Sequence, residues 1–324
     1  PALYLTLVEE ELQKRNDGKV KIKDHFDLIT GTSTGGIIAL ALSYGIPAKE
    51  IYEIYTSRAN EIFRNKSFLN RILGLFRPYH NNKGLENIIR EKFKEYSSDG
   101  KSDPRLDDCK TDVAIPIYDY IKGNPSVLKS PYHPNFTRDL HIPAYKAAMA
   151  TSAAPTFFEP YSSNYNDLNG LEKNFNNKVD GGVMANNPTL IGILEALKAF
   201  GKNLEDLEIL SLGTGYKKFS EGKISKNRWG LFYWVNLKKQ RLMDMFMNGQ
   251  SQLVENYISL LYQGIDKTEK DNPNFVYDRV NIDLSDENYI EMDENNPDRI
   301  KNYAELANGV FYENRTHILK THFY

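Results

Sequence analysis

Apolar residues along the chain recur in two patterns, one typical of helices and one typical of short buried strands. Residues 26–30 are a short apolar run ending at a glycine, and residues 111–120 and 207–215 are near-continuous apolar runs with polar or glycine borders. Such runs are typical of strands buried in a parallel sheet. Amphipathic or small-residue helical patterns lie around these strands. They cover residues 2–15, 34–45, 48–63, 85–96, 142–154 and 190–201.

Strands separated by helices predict an α/β fold, a three-layer arrangement with a mainly parallel central sheet and helices on both faces. After residue 216 the pattern changes to long helical segments with a polar loop between them. Neither a repeat nor a long linker divides the chain. We therefore expect a single catalytic domain over residues 1–324, with a core at 1–215 and a mainly helical part at 216–324.

Composition and charge limit the partners and the cellular compartment that we expect for this protein. The 324 residues carry a formal net charge of −2, which gives no reason to expect a nucleic-acid polymer as partner. The single cysteine excludes an internal disulfide and fits a reducing compartment. The sequence has no apolar run of the roughly 18 residues that span a bilayer. We expect a cytoplasmic protein that meets membranes only peripherally.

The most informative stretch is GTSTGG, which joins the first predicted strand to a helix. Gly31, Ser33 and Gly35 form a G-x-S-x-G elbow, in which a strained turn exposes a serine nucleophile and small neighbours avoid clashes. A phosphate-binding loop is the alternative. The Walker pattern requires a lysine after its last glycine, whereas Ile37 follows Gly36. The elbow interpretation is therefore favoured, with Ser33 as the nucleophile.

A serine hydroxyl needs a base to accept its proton. Asp180 precedes Gly181 and Gly182, so its carboxylate is accessible to a partner group, although an Asp-Gly pair is also a common turn. The alternative base is His317, because the chain order Ser33, Asp180, His317 matches an α/β-hydrolase triad. The other five histidines lie in settings without a catalytic signature.

Together these motifs resemble the patatin-like phospholipase family in its bacterial type. GTSTGG matches the family's elbow and VDGG its aspartate motif, while AAMATSAAPTFF, NNP and ILSLGTG match further stretches. The resemblance implies a fold related to the α/β hydrolases and a Ser33–Asp180 dyad without metal or cofactor. It also implies that the dyad cleaves acyl esters of glycerophospholipids or lysophospholipids through an acyl-serine, as a phospholipase A or lysophospholipase.

An acyl-transfer site also needs donors for the oxyanion. The backbone N–H of Thr34, at the start of the helix, is one expected donor. The family takes others from a D-G-G-G-x-R-G loop before its first helix, and that loop is not in residues 1–324. We expect the natural protein to extend upstream of Pro1, and residues 1–324 alone to be inactive.

Three stretches bear on partners. Residues 63–79 mix apolar and basic side chains, which suits either a membrane surface or an amphipathic core helix. Residues 232–247, with Trp234 and three methionines, suit core packing or pocket lining. Residues 215–230 concentrate lysine and arginine. Because similar bacterial enzymes in anti-phage systems are switched on by cyclic nucleotides, such an activator is a possible partner. A weakly active storage or interaction protein of the same fold is the alternative from another class.

Overall fold

The computed structural model describes residues 1–15, 20–57, 82–216, 231–234, 241–264, 275–284 and 296–324. The apolar and basic stretch at 63–79 and the basic residues at 217–230 lie outside the described residues. The predictions for them stay predictions.

The described helices and strands follow the predicted order, with additional strands. The helices are α1 (Ala2–Arg15), α2 (Thr34–Ser43), α3 (Ala48–Ser57), α4 (Asn82–Glu95), α5 (Ala144–Thr151), α6 (Gly182–Ala185), α7 (Thr189–Ala199), α8 (Leu231–Trp234), α9 (Arg241–Gly264) and α10 (Pro297–His322). The strands are β1 (Leu28–Thr30), β2 (Asp112–Asp119), β3 (Asn124–Lys129), β4 (Tyr161–Asn166), β5 (Glu172–Asp180), β6 (Glu208–Leu212) and β7 (Val276–Val280).

Strand β2 organises the larger sheet. β3 pairs antiparallel with β2 along one edge. On the other edge β1 runs parallel, with Thr30 opposite Ala114, and β5 runs antiparallel, with Asp180 opposite Ile117. Because a strand has only two edges, β1 and β5 must share this one. Their ends therefore point toward each other, with only Ile115 and Pro116 of β2 between them.

The α/β class with helices on both sides of the sheet is confirmed. The sheet is mixed rather than mainly parallel. Among the described strands, parallel pairing joins only β1 to β2 and β6 to β7. Strands β6 and β7 form a separate two-stranded sheet. The physical reason is the β4–β5 hairpin, which returns to β2 in the antiparallel direction without a crossover helix.

The core lies around β2, α2 and α5. In α2 every residue from Gly36 to Ser43 is buried, and in α5 all eight residues are buried. Alanine, leucine and isoleucine dominate α2, so it is a good helix former that can be covered on all sides. Gly45, with φ of 76°, follows the helix and reverses the chain there. The elbow therefore sits on a rigid, fully packed support.

No helix in the described part of the chain combines the length and the apolar character needed to cross a bilayer.

Candidate active site

Ser33 lies between β1 and α2 in a strained backbone conformation. Its φ is 57° and its ψ is −128°, values that a residue with a side chain rarely adopts. Such strain is what the elbow motif requires, because it holds the serine at the apex of a sharp strand-to-helix turn. The predicted elbow geometry is present.

The glycines around Ser33 differ in their steric role. A Cβ on Gly31 would lie 2.0 Å from the carbonyl oxygen of Gly35, and a Cβ on Gly36 would lie 2.5 Å from Cγ2 of Thr151. A Cβ on Gly35 would meet nothing within 4 Å. The expectation that glycine is needed on both sides of Ser33 is therefore wrong for Gly35. The close contact on the helical side belongs to Gly36.

Asp180 is the last residue of β5 and is only 3% exposed. The Ser33 hydroxyl is close enough to this carboxylate to lower its pKa. The backbone N–H of Gly182 donates a hydrogen bond of 2.6 Å to Asp180 Oδ1. The two predicted residues meet because β1 and β5 end toward each other on the same edge of β2.

The glycines after Asp180 let the chain turn closely against β2. A Cβ on Gly181 would lie 2.2 Å from the carbonyl oxygen of Pro116. This oxygen belongs to the backbone, so no change of side-chain rotamer could relieve the clash. A Cβ on Gly182 would lie 3.0 Å from Asp180 Oδ1 and 3.3 Å from Cε of Met247. Gly181 is thus required by the backbone, whereas a Cβ at position 182 would crowd the Asp180 carboxylate.

Burial changes the acidity of Asp180. Loss of solvent raises the pKa of its carboxyl group from 3.8 to about 6, against the lowering effects of the Ser33 hydroxyl and the Gly182 amide. A carboxylate with a pKa near the working pH accepts a proton more readily than an ordinary aspartate does. The arrangement is a serine hydroxyl beside a carboxylate of raised basicity.

Comparison with known proteins agrees with this geometry. A family model described as patatin-like phospholipase matches residues 3–193, more than half of the chain. The chain belongs to the patatin-like phospholipase family. The match covers both the elbow and the aspartate motif.

Two groups of relatives illustrate the breadth of the patatin-like family. A cGAMP-activated phospholipase of Escherichia coli (strain TW11681) is 34% identical over 246 residues, which are 74% of this chain and 65% of that protein. A protein of the same name from Vibrio cholerae is 34% identical over 64% of this chain and 58% of its own length. Patatin-like protein 2 of Oryza sativa subsp. indica is 30% identical over 86% of this chain and 73% of its own length. The chain thus spans about two thirds or less of the two bacterial relatives.

Threonines that the sequence analysis did not single out fix the patatin-like elbow in place. Thr151 Oγ1 accepts a hydrogen bond from the Ser33 amide at 3.1 Å and donates one to the Pro116 carbonyl at 2.7 Å. Thr32 Oγ1 donates to the carbonyl of Ala185 at 2.7 Å. These hydroxyls tie the elbow to α5, β2 and α6. The sequence feature that could have indicated Thr151 is the stretch AAMATSAAPTFF, which contains this residue and resembles a segment of the family.

The Thr34 amide is the candidate oxyanion donor at the start of α2. The neighbouring amides of Gly35, Gly36 and Ile37 are bonded to carbonyls of Thr32 and Ser33. Within the described residues no partner accepts a hydrogen bond from the Thr34 amide. An unused N–H at a helix start, next to Ser33, is suitably placed to receive negative charge that develops there.

His317 does not join this site. Its Nε2 lies 2.9 Å from Oδ1 of Asp278, on the neighbouring β7, and its side chain is largely exposed. The groups that act on the Asp180 carboxyl are instead the Ser33 hydroxyl and the Gly182 amide. The alternative triad of Ser33, Asp180 and His317 is not formed in this structure, because α10 positions His317 against β7.

The described residues contain no group of three or more histidine, cysteine, aspartate or glutamate side chains that could hold a metal ion.

Proposed function

We propose that this protein is a lipid acyl hydrolase in which Ser33 is the nucleophile and Asp180 the general base. The observation that carries the proposal is that the hydroxyl of Ser33, on a strained elbow, neighbours a buried carboxyl group with a pKa raised to about 6. The strained elbow and the family membership support the same interpretation. The substrates would be acyl esters of glycerophospholipids or lysophospholipids, which the names of the relatives support.

In the proposed reaction, Asp180 takes the Ser33 proton as Oγ attacks the ester carbonyl carbon. The tetrahedral oxyanion accepts a hydrogen bond from the Thr34 amide. Asp180 then returns the proton to the departing alcohol oxygen, which leaves an acyl ester on Ser33. In the second half, Asp180 accepts a proton from a water molecule that attacks this ester, and the fatty acid leaves as Ser33 regains its proton.

The pH dependence of Ser33 reactivity tests this proposal. Because Asp180 must be ionised to accept the proton, labelling of Ser33 by a fluorophosphonate should be slow below the Asp180 pKa of about 6. Its rate should fall about tenfold per pH unit on the acidic side and level off above pH 7. The measurement is the second-order rate constant of labelling from about pH 4.5 to about pH 8.5, a range that includes both sides of the expected pKa.

Ser33→Ala is the control, since it removes the labelled oxygen. A labelling rate that does not vary across this range would contradict the role of Asp180. Absence of labelling at every pH, with and without membranes, would favour the storage or interaction protein.

We also propose that the protein works at a phospholipid membrane surface. Helix α9 supports this, because it exposes a row of large apolar side chains on one face. The row is Leu242, Met245, Phe246, Leu253, Tyr257, Leu260 and Leu261. Helix α9 also contacts α6, because the Gln250 side chain donates to the Val183 carbonyl and the Asn186 side chain, just after α6, donates to the Met247 carbonyl. The apolar face therefore lies on an element that contacts the turn after Asp180. Apolar faces of this kind bind the interfacial region of bilayers.

Replacing Phe246 and Leu260 together by serine should weaken membrane binding. These side chains are 57% and 62% exposed in the free protein. If they insert into the membrane interface, replacing both should lower vesicle affinity by a factor of about 10 to 100. Co-sedimentation with vesicles of zwitterionic and anionic phospholipid measures this. Leu171→Ser, at an exposed site (59%) in the β4–β5 turn, is the matched control and should bind as the unsubstituted protein does. Equal binding of all three proteins would remove α9 as the docking face.

We also propose that a cyclic nucleotide activates this protein, because the names of two bacterial relatives describe activation by cGAMP. The basic residues at 217–230 are one predicted location for such a ligand, and they lie outside the described residues.

A further inference from the structure

A cavity of about 540 Å³ opens at the N-terminal end of α5. Its lining includes Arg105, Pro143, Tyr145, Lys146 and Tyr165, and neither Ser33 nor Asp180 contributes to it. A volume of this size accommodates a ligand as large as a nucleotide. The cavity is thus a candidate binding site separate from the elbow.

Lys146 is the unusual residue in this cavity. It is only 6% exposed, and its ammonium group donates a hydrogen bond to the Ser163 hydroxyl. None of the described carboxylates lies within ion-pair distance of its Nζ. Burial lowers the pKa of Lys146, and the more distant carboxylates of Glu86 and Asp103 offset this only in part. Burying a charge that no carboxylate contacts is costly and is seldom retained without a functional reason.

Arg105 adds a second positive charge. Its guanidinium donates to the carbonyl oxygens of His141 and Asn166, at 2.8 Å for the latter, and it too forms no ion pair with a described carboxylate. The lining also includes three acidic side chains, each of them bonded or exposed. Asp103 binds Arg90 with two hydrogen bonds, Asp108 accepts one from the Arg105 backbone amide at 2.8 Å, and Asp107 is exposed to solvent.

The start of α5 contributes an unused backbone donor. The amides of Ala144, Lys146 and Ala147 are bonded to carbonyls of Pro104 and Pro143. The Tyr145 amide has no acceptor in the part of the chain that the structure describes. With the positive end of the helix dipole, this arrangement favours an anion beside Lys146.

The other end of α5 holds the elbow. Thr151, the last residue of the helix, accepts the hydrogen bond from the Ser33 amide. Just beyond it, the Ala153 carbonyl accepts one from the Asp180 amide at 3.0 Å. Tyr145 and Thr151 are separated by roughly 9 Å of helix, at 1.5 Å per residue. Because all of α5 is buried, a displacement at its first turn is transmitted to its last.

We propose that the α5 cavity binds a phosphodiester ligand of nucleotide size, with Lys146 and Arg105 as its charge partners, and that occupancy changes the reactivity of Ser33 through α5. This inference rests on the proposed function and specifies where its activator binds. Nucleotides and lipid headgroups both carry phosphodiesters, so the probes must separate these two sources.

The first test is ligand-induced thermal stabilisation of the whole protein. cGAMP, glycerophosphocholine and inorganic phosphate are the probes. At a concentration about 100 times the dissociation constant, cGAMP should raise Tm by roughly 5 °C. Lys146→Met should abolish this shift, and Ser163→Ala, which removes the hydrogen-bond partner of the ammonium group, should reduce it. A shift with glycerophosphocholine alone would overturn the nucleotide source. No shift with any probe would overturn the cavity as a site.

Two further observations separate a binding role from a structural one. Without ligand, Lys146→Met should have a Tm equal to or above that of the unsubstituted protein, because it removes a buried charge that no carboxylate contacts. Lys178→Met is the matched control, since Lys178 is also buried but pairs with Asp119 at 2.7 Å. It should lower Tm and keep the cGAMP shift. Retention of that shift by Lys146→Met would contradict the inference.

Fluorophosphonate labelling of Ser33 then tests the coupling. cGAMP should raise the labelling rate of the unsubstituted protein at least threefold, while Lys146→Met should show no response. If cGAMP stabilises the protein through Lys146 but Ser33 is never labelled, the proposed hydrolase function fails and the binding site stands. If Ser33 is labelled but cGAMP neither binds nor changes the rate, the binding site fails and the hydrolase function stands.

Discussion

Asp180→Asn is expected to lower kcat/KM for ester hydrolysis by about 10⁴-fold or more, the scale seen when a serine nucleophile loses its base. The amide keeps the size of the carboxylate but cannot take the Ser33 proton. The substitution should also leave the fold intact. Because the folded-state pKa of Asp180 is raised from 3.8 to about 6, its ionised form disfavours folding above pH 6 by an amount on the order of 3 kcal/mol. A neutral side chain should therefore raise Tm at pH 8.

His317→Ala is the matched comparison for this experiment. His317 pairs with Asp278 rather than with the dyad, so its loss should change kcat/KM less than about threefold. Hydrolysis of a soluble acyl ester and thermal melting at pH 8 give both quantities. A loss of activity in His317→Ala comparable to that in Ser33→Ala would restore the histidine mechanism and contradict the dyad.

Gly31→Ala is expected to destroy the elbow. The added Cβ would lie 2.0 Å from the Gly35 carbonyl oxygen, and a backbone oxygen cannot move aside without unwinding the first turn of α2. We expect a loss on the order of 3–5 kcal/mol in the free energy of unfolding, with no measurable Ser33 labelling in the protein that remains folded. Denaturant melts and fluorophosphonate labelling measure these two effects.

Gly35→Ala provides the contrast within the same motif. Its Cβ would enter open space, and alanine favours a helix, so stability should be unchanged or slightly higher. Equal destabilisation by both substitutions would show that the motif requires flexibility rather than space. A stable Gly35→Ala with reduced hydrolysis would indicate that the open space beside Gly35 receives substrate.

The candidate site was largely predictable because its chemistry lies in two short motifs. Ser33 and Asp180 each have flanking glycines whose absence of side chains is visible in the sequence. Thr151 was not predictable in the same way. A threonine in a small-residue helix resembles any other buried threonine, and only the tertiary structure brings its hydroxyl between the Ser33 amide and the Pro116 carbonyl.

The fold was predictable where burial produces a continuous apolar pattern, as in β2 and α2. It was not predictable for β4 and β5, whose sequences are rich in asparagine, serine and lysine. In β5 the continuous burial is limited to its last three residues, so its middle carries no clear alternation. Because the apolar pattern does not indicate this hairpin, it predicts a mainly parallel sheet. The direction of a strand depends on the connections between strands, and hydrophobicity does not encode those connections.

The shared edge of β2 also bears on biosynthesis. A ribosome completes β1, the elbow and β2 before it adds the hairpin that delivers Asp180, so the nascent chain first carries Ser33 without Asp180. If the two residues act together as proposed, the nascent chain gains its reactivity only when the hairpin docks on β2.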